Sequence, residues 1–332
     1  MKKKTISIGG ATYDLFIRTK TELVQSEKGK KVFHLPIGDK IRVENVIETC
    51  GGGASNTSTG LSRLGCDAKF CGVVANDQWG EKLIENLKKE GVDTSCATIV
   101  DGEVSSFSII LSTLSGERTI LYEPGTNEHL HDANFSKEVA AQMNWIYLNH
   151  IQESSSVIQD DIIEILTSDE SVCFTWNPGG CQIDVGMEDT NNSQLLSQAN
   201  LVLLNKKEAL EFTKTEDIND ALKKLIKTGA QNVCITNGSN GTTASDGENI
   251  YHCPVIKDTK VVDTTGAGDA FGTGVTWALV EGLDLPTALR AGTINASSVV
   301  GAIGAQTGLL TETKMKQQLE TVELHVSKVG SV

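Results

Sequence analysis

The sequence predicts an α/β protein, with a mostly parallel sheet covered by helices on both faces and a smaller β element set apart from it. Three observations carry this reading. From Trp145 to Thr236, short apolar segments alternate with segments of helical period. Those short segments are largely apolar, as strands of a parallel sheet covered on both faces are. Residues from about 15 to 48 instead alternate apolar and polar, as half-covered strands do.

Taken in order, Thr5 to Ile8 reads as a first strand that ends in Gly9-Gly10, with Asp14 just beyond it. Ligands of open α/β sheets collect at such strand ends, although Asp14 also reads as an ordinary turn carboxylate. Lys31 to Leu35 and Ile41 to Ile47 are expected as strands of the small sheet. Ser106 to Leu114 and Arg118 to Glu123, around Ser115-Gly116-Glu117, complete it as a hairpin unless all four are edge strands of the main sheet. Ser58 to Leu64 reads as a helix, Ala68 to Val74 as a strand and Gly80 to Glu90 as a helix. The alternation continues with strand Trp145 to Leu148, helix Val157 to Leu166, strand Val172 to Trp176, helix Ser193 to Ala199 and strand Leu201 to Leu204. Helix Ile218 to Thr228, strand Asn232 to Thr236, a hairpin through Gly247 and C-terminal helices around Leu285, Ala288 and Lys314 finish it. There is no internal repeat, linker or low-complexity tract.

A chain of 332 residues with 39% apolar and 22% charged residues suits one main globular domain with a small accessory element. Its net charge of −14 argues against a nucleic-acid or membrane partner, since both demand a basic face. An anionic substrate must then meet a local positive site. Eight cysteines without a C-x-x-C pair are expected to be reduced, in a cytoplasmic protein. Six histidines form no H-E-x-x-H set, which argues against zinc, and no apolar run approaches the roughly 18 residues of a membrane span.

The chemistry concentrates in Val261 to Gly274, where a short apolar run breaks into glycines and then takes up a helical period. Gly266, Ala267, Gly268 and Asp269 are expected as the turn into a helix, whose free N–H groups and positive dipole end suit a phosphate. A carboxylate beside an anion site repels the ligand, yet it suits a base that takes a proton from an attacking hydroxyl. Asp269 reads equally as a helix-capping aspartate, worth roughly 0.5–2 kcal/mol without any ligand.

Asp263-Thr264-Thr265-Gly266-Ala267-Gly268-Asp269-Ala270-Phe271 resembles the C-terminal signature of the ribokinase-like (PfkB) family of sugar and nucleoside kinases. Gly51-Gly52-Gly53-Ala54-Ser55-Asn56, followed by Gly60, Leu64 and Gly65, resembles its N-terminal signature. The resemblance implies a ribokinase-like three-layer sandwich plus a β-sheet lid. The large domain is expected over 1–14, 49–104 and 123–332, and the lid over 15–48 and 105–122. It implies ATP and Mg²⁺ as cofactors, a sugar or nucleoside as substrate, and a homodimer formed through the lid.

By the same resemblance, Asp14, Gly52, Gly53 and Asn56 contact substrate hydroxyls, where ribokinases usually carry a lysine in place of Gly53. Arg118 reaches toward the substrate, and Pro124-Gly125-Thr126-Asn127 forms a nearby turn. Asn205 and Glu208, of Leu204-Asn205-Lys206-Lys207-Glu208-Ala209, help hold Mg²⁺ largely through water, although the residues by themselves favour a capping asparagine with a surface glutamate. Thr236, Gly238, Ser239 and Gly241 belong to a nucleotide loop, Asn177 lies near the phosphates and Asn295 near the adenine. Asp263 and Thr265, with carbonyls near Gly304, match a site for a monovalent cation such as K⁺, where Gly308 stands in place of a serine.

The reading is an ATP-dependent kinase of a small hydroxylated substrate, a ribokinase- or fructokinase-like sugar kinase with Asp269 as general base. A nucleoside kinase of the same fold, with Tyr13, Phe33 and Phe107 lining an aromatic pocket, is the alternative; a non-catalytic sugar or nucleotide sensor ranks below it. No G-x-G-x-x-G follows the first strand and no P-loop lysine motif occurs, which excludes a dinucleotide dehydrogenase and a P-loop kinase.

Overall fold

The computed structural model describes residues 2–19, 23–113, 118–132, 135–151 and 156–332. Strand β1 (Lys4–Ile8) leads into β2 (Thr12–Thr19), a hairpin of β3 (Val24–Glu27) and β4 (Lys30–Phe33), and then β5 (Asn45–Gly51). Helix α1 (Gly53–Arg63), β6 (Asp67–Ala75), α2 (Gln78–Lys89) and β7 (Asp93–Val100) follow. After them come β8 (Phe107–Thr113), β9 (Arg118–Glu123), a 3-10 segment (Gly125–Asp132) and α3 (Lys137–Ala140). The alternating half comprises β10 (Trp145–Leu148), α4 (Ser156–Ser168), β11 (Cys173–Trp176), α5 (Gly180–Val185), α6 (Thr190–Gln198), β12 (Leu201–Asn205), α7 (Lys206–Thr213), α8 (Ile218–Thr228) and β13 (Val233–Thr236). The chain ends with β14 (Thr242–Ser245), β15 (Asn249–Cys253), α9 (Ala267–Val280), α10 (Leu285–Val300), α11 (Glu312–Thr321) and β16 (Ser327–Ser331).

Ten strands form the main sheet in the order β16-β15-β14-β13-β12-β11-β10-β1-β6-β7, with β13 through β7 parallel and the β14–β16 end antiparallel. Alternate side chains of its strands feed two cores. Ile146, Leu148, Phe174, Trp176, Val202 and Leu204 pack under α4, α6, α7 and α8. Trp145, Tyr147, Leu201 and Leu203 pack under α1, α9 and α10. After β1 the chain builds β6 and β7 on one side and later β10 on the other. The crevice of this sheet therefore opens at the C-terminal ends of β1 and β10.

The small sheet is separate from the main one, ordered β5-β2-β8-β9, with β2 and β8 parallel and the outer pairs antiparallel. The turn expected at Ser115-Gly116-Glu117 lies outside the described residues. Its first strand pairs from Thr12 onward and β5 pairs as far as Gly51, so the expected boundaries at 14/15 and 48/49 move to either side of the Gly9-Gly10-Ala11 and Gly51-Gly52 turns. Asp14 consequently sits within a strand of the small sheet, not in a turn beyond β1.

Helix α1 starts before the expected Ser58, because Gly52 at φ +90° turns the chain directly into it; a Cβ there would lie 2.6 Å from the Ala11 Cα. Strands β7 and β16 and helices α5 and α7 were not foreseen; α5 and α7 are only 6 and 8 residues long. No helix among the described residues is long and apolar enough to cross a membrane.

Helices α1 and α9 carry the two glycine signatures, and they cross closely at Gly60, where an added Cβ would lie 2.6 Å from the Thr273 Cγ2. Gly60→Ala is expected to destabilise the protein by about 1–3 kcal/mol in urea unfolding, and Thr273→Ser, which deletes that methyl, to restore part of the loss. Additive effects of the two changes would contradict this packing.

Candidate active site

The start of α9 depends on Gly266, which takes φ +73°; a Cβ there would lie 2.3 Å from the Ala305 Cβ behind it. The Ala267 N–H turns back to the Thr264 carbonyl at 3.3 Å. Among the described residues this leaves the N–H groups of Gly266, Gly268 and Asp269 without a backbone partner, so Ala267 drops out of the expected set of donors. Gly268 faces open space. Asp269, half-buried in the first turn, accepts a 2.7 Å hydrogen bond from the Asn56 Nδ2. Burial pushes its carboxyl up to about 6, against the pull of the Asn56 amide and with a further push from the Glu208 charge.

Asn56 itself is buried in the first turn of α1, three residues after Gly53. Asp14, 6% exposed, lies against Gly51, where a Cβ would be 2.3 Å from its Oδ2. Burial drives the Asp14 carboxyl up to about 7; a hydrogen bond with Ser108 opposes this and the Asp263 charge adds to it. By strand register Asp14 shares a face with Thr49, Ser108, Phe16, Ile110 and Tyr122. Tyr13 and Phe107 are paired on the opposite face, where Tyr13 stacks on Trp79 at 4.9 Å. The aromatic pocket expected from Tyr13, Phe33 and Phe107 is therefore not formed on the Asp14 side. Asn127 accepts from the Ala11 N–H and donates to the Thr12 Oγ1, which pins the turn between β1 and the lid.

A cleft of about 250 Å³ runs from the α9 turn across the ends of β11, β12 and β13, lined by Asn177, Leu203, Asn205, Glu208, Thr236 and Gly266 to Asp269. Asn177 is held by donation to the Leu203 carbonyl at 2.9 Å. Asn205 and Glu208 cap α7 reciprocally: Asn205 Oδ1 accepts from the Glu208 N–H at 3.0 Å and Glu208 Oε2 accepts from the Asn205 N–H at 2.8 Å. This cap occupies the Asn205 oxygen but only one oxygen of Glu208, whose carboxyl burial pushes upward. The free oxygen of Glu208 is a hard anionic donor that could hold Mg²⁺, while the unpaired N–H groups across the cleft suit the phosphates that would accompany it.

Gly238 borders an adjoining recess with Asn205, Lys206 and Thr236. Ser239 is exposed beside it, whereas Gly241 is buried against the Cys253 carbonyl. Asn295 is not brought to the cleft: it is fully buried, donates to the Ala270 carbonyl at 2.8 Å and accepts from the Leu310 N–H at 3.1 Å. Its amide ties α9 to the loop after α10, so the expected place beside an adenine is corrected.

Arg118 reaches from the small sheet to the turn before Gly266. Its Nη1 meets the Asp263 Oδ1 at 2.5 Å and its Nη2 the Thr264 Oγ1 at 2.9 Å. Asp263 also accepts from the Thr265 N–H and Oγ1 and, through Oδ2, from the Gly304 N–H. Three donors converge on the Asp263 Oδ1 and one meets its Oδ2, and the Gly308 carbonyl accepts from the Ser298 hydroxyl. A guanidinium supplies positive charge at Asp263, where the resemblance implies a monovalent cation.

Sequence reasoning missed Thr264 and Gln306. Gln306 joins Asn56 and Ser55 from a loop rich in glycine and alanine, Gly301 to Gly308, and a buried glutamine in such a loop carries no periodic signal.

The model of the pfkB family carbohydrate kinases matches residues 28–312. A sugar kinase of Archaeoglobus fulgidus, described as uncharacterized, is 29% identical over 255 residues, covering 75% of this chain and 98% of that one. Arabidopsis thaliana ribokinase complexed with ribose and ATP superposes with a TM-score of 0.77 at 22% identity, covering 96% of this chain and 99% of that one. Adenosine kinase from Sinorhizobium meliloti does so with a TM-score of 0.77 at 24% identity, at the same coverage. These likenesses show the ribokinase-like three-layer fold with its small separate sheet. With the family model matching most of its length, the chain belongs to the pfkB family of carbohydrate kinases and is a phosphotransferase with an alcohol group as acceptor.

Proposed function

We propose that the protein transfers the γ-phosphoryl group of MgATP to a hydroxyl of a small sugar, with Asp269 as the general base. The observation that carries this is the placement of a half-buried carboxylate, raised to about 6 and held by Asn56, beside unpaired N–H groups at the start of α9. Asp269 takes the proton of the acceptor hydroxyl as its oxygen bonds to the γ-phosphorus. The bond from that phosphorus to the bridging oxygen breaks, and ADP leaves with the electron pair. The N–H groups of Gly268 and Asp269 oppose the charge spread over the transferring phosphoryl oxygens. Mg²⁺, held through Glu208, shields the charge of the nucleotide phosphates when bound. Asp14, with Thr49 and Ser108 on its face, offers the acceptor hydrogen-bonding groups suited to a polyol. Phe16 and Tyr122 lie on that same face and favour a nucleoside as the second reading.

The assay is ADP release from MgATP against ribose, fructose, 2-keto-3-deoxygluconate, fructose 6-phosphate, adenosine, inosine and cytidine. Turnover of a free sugar is expected, with kcat lowered about 10²–10⁴-fold in Asp269→Asn while acceptor binding persists. Near-normal turnover in that variant would remove Asp269 from the role of base, and activity confined to nucleosides would select the second reading. In a pH–rate profile, kcat is expected to fall as pH drops through about 6, where Asp269 gains its proton. A profile flat from pH 8 to 5 would count against it.

Asp14 also bears on stability. Its folded carboxyl, at about 7, lies above the unfolded value of 3.8, so between those values the folded state binds the extra proton and stability declines as pH rises. Asp14→Asn is therefore expected to stabilise the protein at pH 8 by up to roughly 4 kcal/mol, a gain that fades toward pH 4, while lowering acceptor affinity. Denaturant unfolding at both pH values checks this, and a destabilised variant at pH 8 would contradict it.

A further inference from the structure

Asn56 holds the base, but an asparagine can present either its NH₂ or its carbonyl oxygen to a neighbour with almost the same shape. Against a carboxylate only the NH₂ end is attractive. What decides the choice lies one step further from the cleft. Gln306, 7% exposed in the loop between α10 and α11, donates from Nε2 to the Asn56 Oδ1 at 3.1 Å and to the Ser55 Oγ at 2.9 Å. Its Oε1 accepts from the Nδ2 of Asn86, on α2, at 2.8 Å.

These bonds form one directional series. Asn86 donates to Gln306, Gln306 to Asn56, and Asn56 to Asp269. Each amide uses its oxygen on one side and its nitrogen on the other, so reversing any member reverses those inward of it. The loop that carries Gln306 is itself fixed. Arg63, in a two-pronged pair with Glu90, donates to the Gln306 carbonyl at 2.7 Å and to that of Leu309 at 3.1 Å. Ala305 backs Gly266, and the Gly304 N–H holds Asp263.

We propose that Gln306 is a positioning residue for phosphoryl transfer, which acts through Asn56 by fixing the amide polarity that holds the Asp269 carboxylate in the cleft. The catalytic meaning rests on the kinase reading; the hydrogen-bond series does not. The charged group that bears on Asp269 is Glu208 from α7, the buried Tyr147 phenol of β10 lies within electrostatic reach of it, and Asn56 from α1 is its hydrogen-bond donor. A glutamate at 306 keeps the shape and the bond from Asn86, but it can only accept. It therefore turns the Asn56 NH₂ toward itself and the Asn56 oxygen toward Asp269.

Gln306→Glu and Gln306→Met test this. In Gln306→Glu, kcat is expected to fall at least about tenfold and the acid limb of its pH profile to rise by about one pH unit, with the KM for ATP within about twofold of wild type. Gln306→Met, which removes the donor without reversing the series, is expected to shift both in the same direction by less. Should the glutamate variant fail to fold, the methionine variant carries the test alone. The carboxyl ¹³C titration of Asp269, assigned by its loss in Asp269→Asn, reads the same effect without turnover. An unchanged titration in a folded variant would overturn the proposal even if kcat fell, because the loss would then be structural. Wild-type kcat with an unmoved acid limb would overturn it as well. Absence of any kinase activity in the wild type, with the titration still shifted in Gln306→Glu, would instead overturn the kinase reading and leave the series standing.

Discussion

The hydrogen bond from Asn56 to Asp269 joins two glycine turns 213 residues apart, and most of the active site depends on it. A carboxylate drawn out of water is costly unless it is hydrogen-bonded. The close crossing of α1 and α9 at Gly60 and Thr273 supplies the partner by bringing both helix starts to one place. The raised Asp269 carboxyl follows from that burial, and the Asn56 amide keeps it from rising further. The same burial that makes Asp269 a proton acceptor near neutral pH therefore requires the α1–α9 contact to be tight.

The Gly304 to Gln306 loop gathers the parts around that bond. Gly304 holds Asp263 and stands close to Thr49 of the lid, Ala305 backs Gly266, and Gln306 orients Asn56. Arg118 extends the assembly into the lid by pairing with Asp263 and bonding Thr264. The small sheet is thus tied to the turn before α9 by a partly buried ion pair, whose charges face each other with further hydrogen bonds around them.

Much of this was legible in the sequence, and what escaped has physical reasons. The parallel core strands announce themselves as short apolar runs, and Gly266 to Asp269 as a glycine break before a helical period. Asp14 was placed beyond β1 because the Gly9-Gly10 turn resembles a strand end, yet the chain resumes pairing at Thr12. Tyr13 and Phe107 were read as pocket residues because composition does not reveal which face of a strand looks at the ligand; register does. Asn295 and Arg118 were carried over by resemblance, but their partners, Ala270 with Leu310 and Asp263 with Thr264, depend on tertiary contacts. Gln306 lies in a loop of small residues, where neither period marks a buried side chain.

The central claim is that Asp269 removes a proton and does not itself receive the phosphoryl group. The stereochemistry of transfer from ATP made chiral at the γ-phosphorus with oxygen isotopes, to whichever acceptor turns over, separates the two most directly. A single in-line displacement with Asp269 as base predicts inversion at phosphorus. Retention would require two displacements through a phosphorylated enzyme group and would contradict the account.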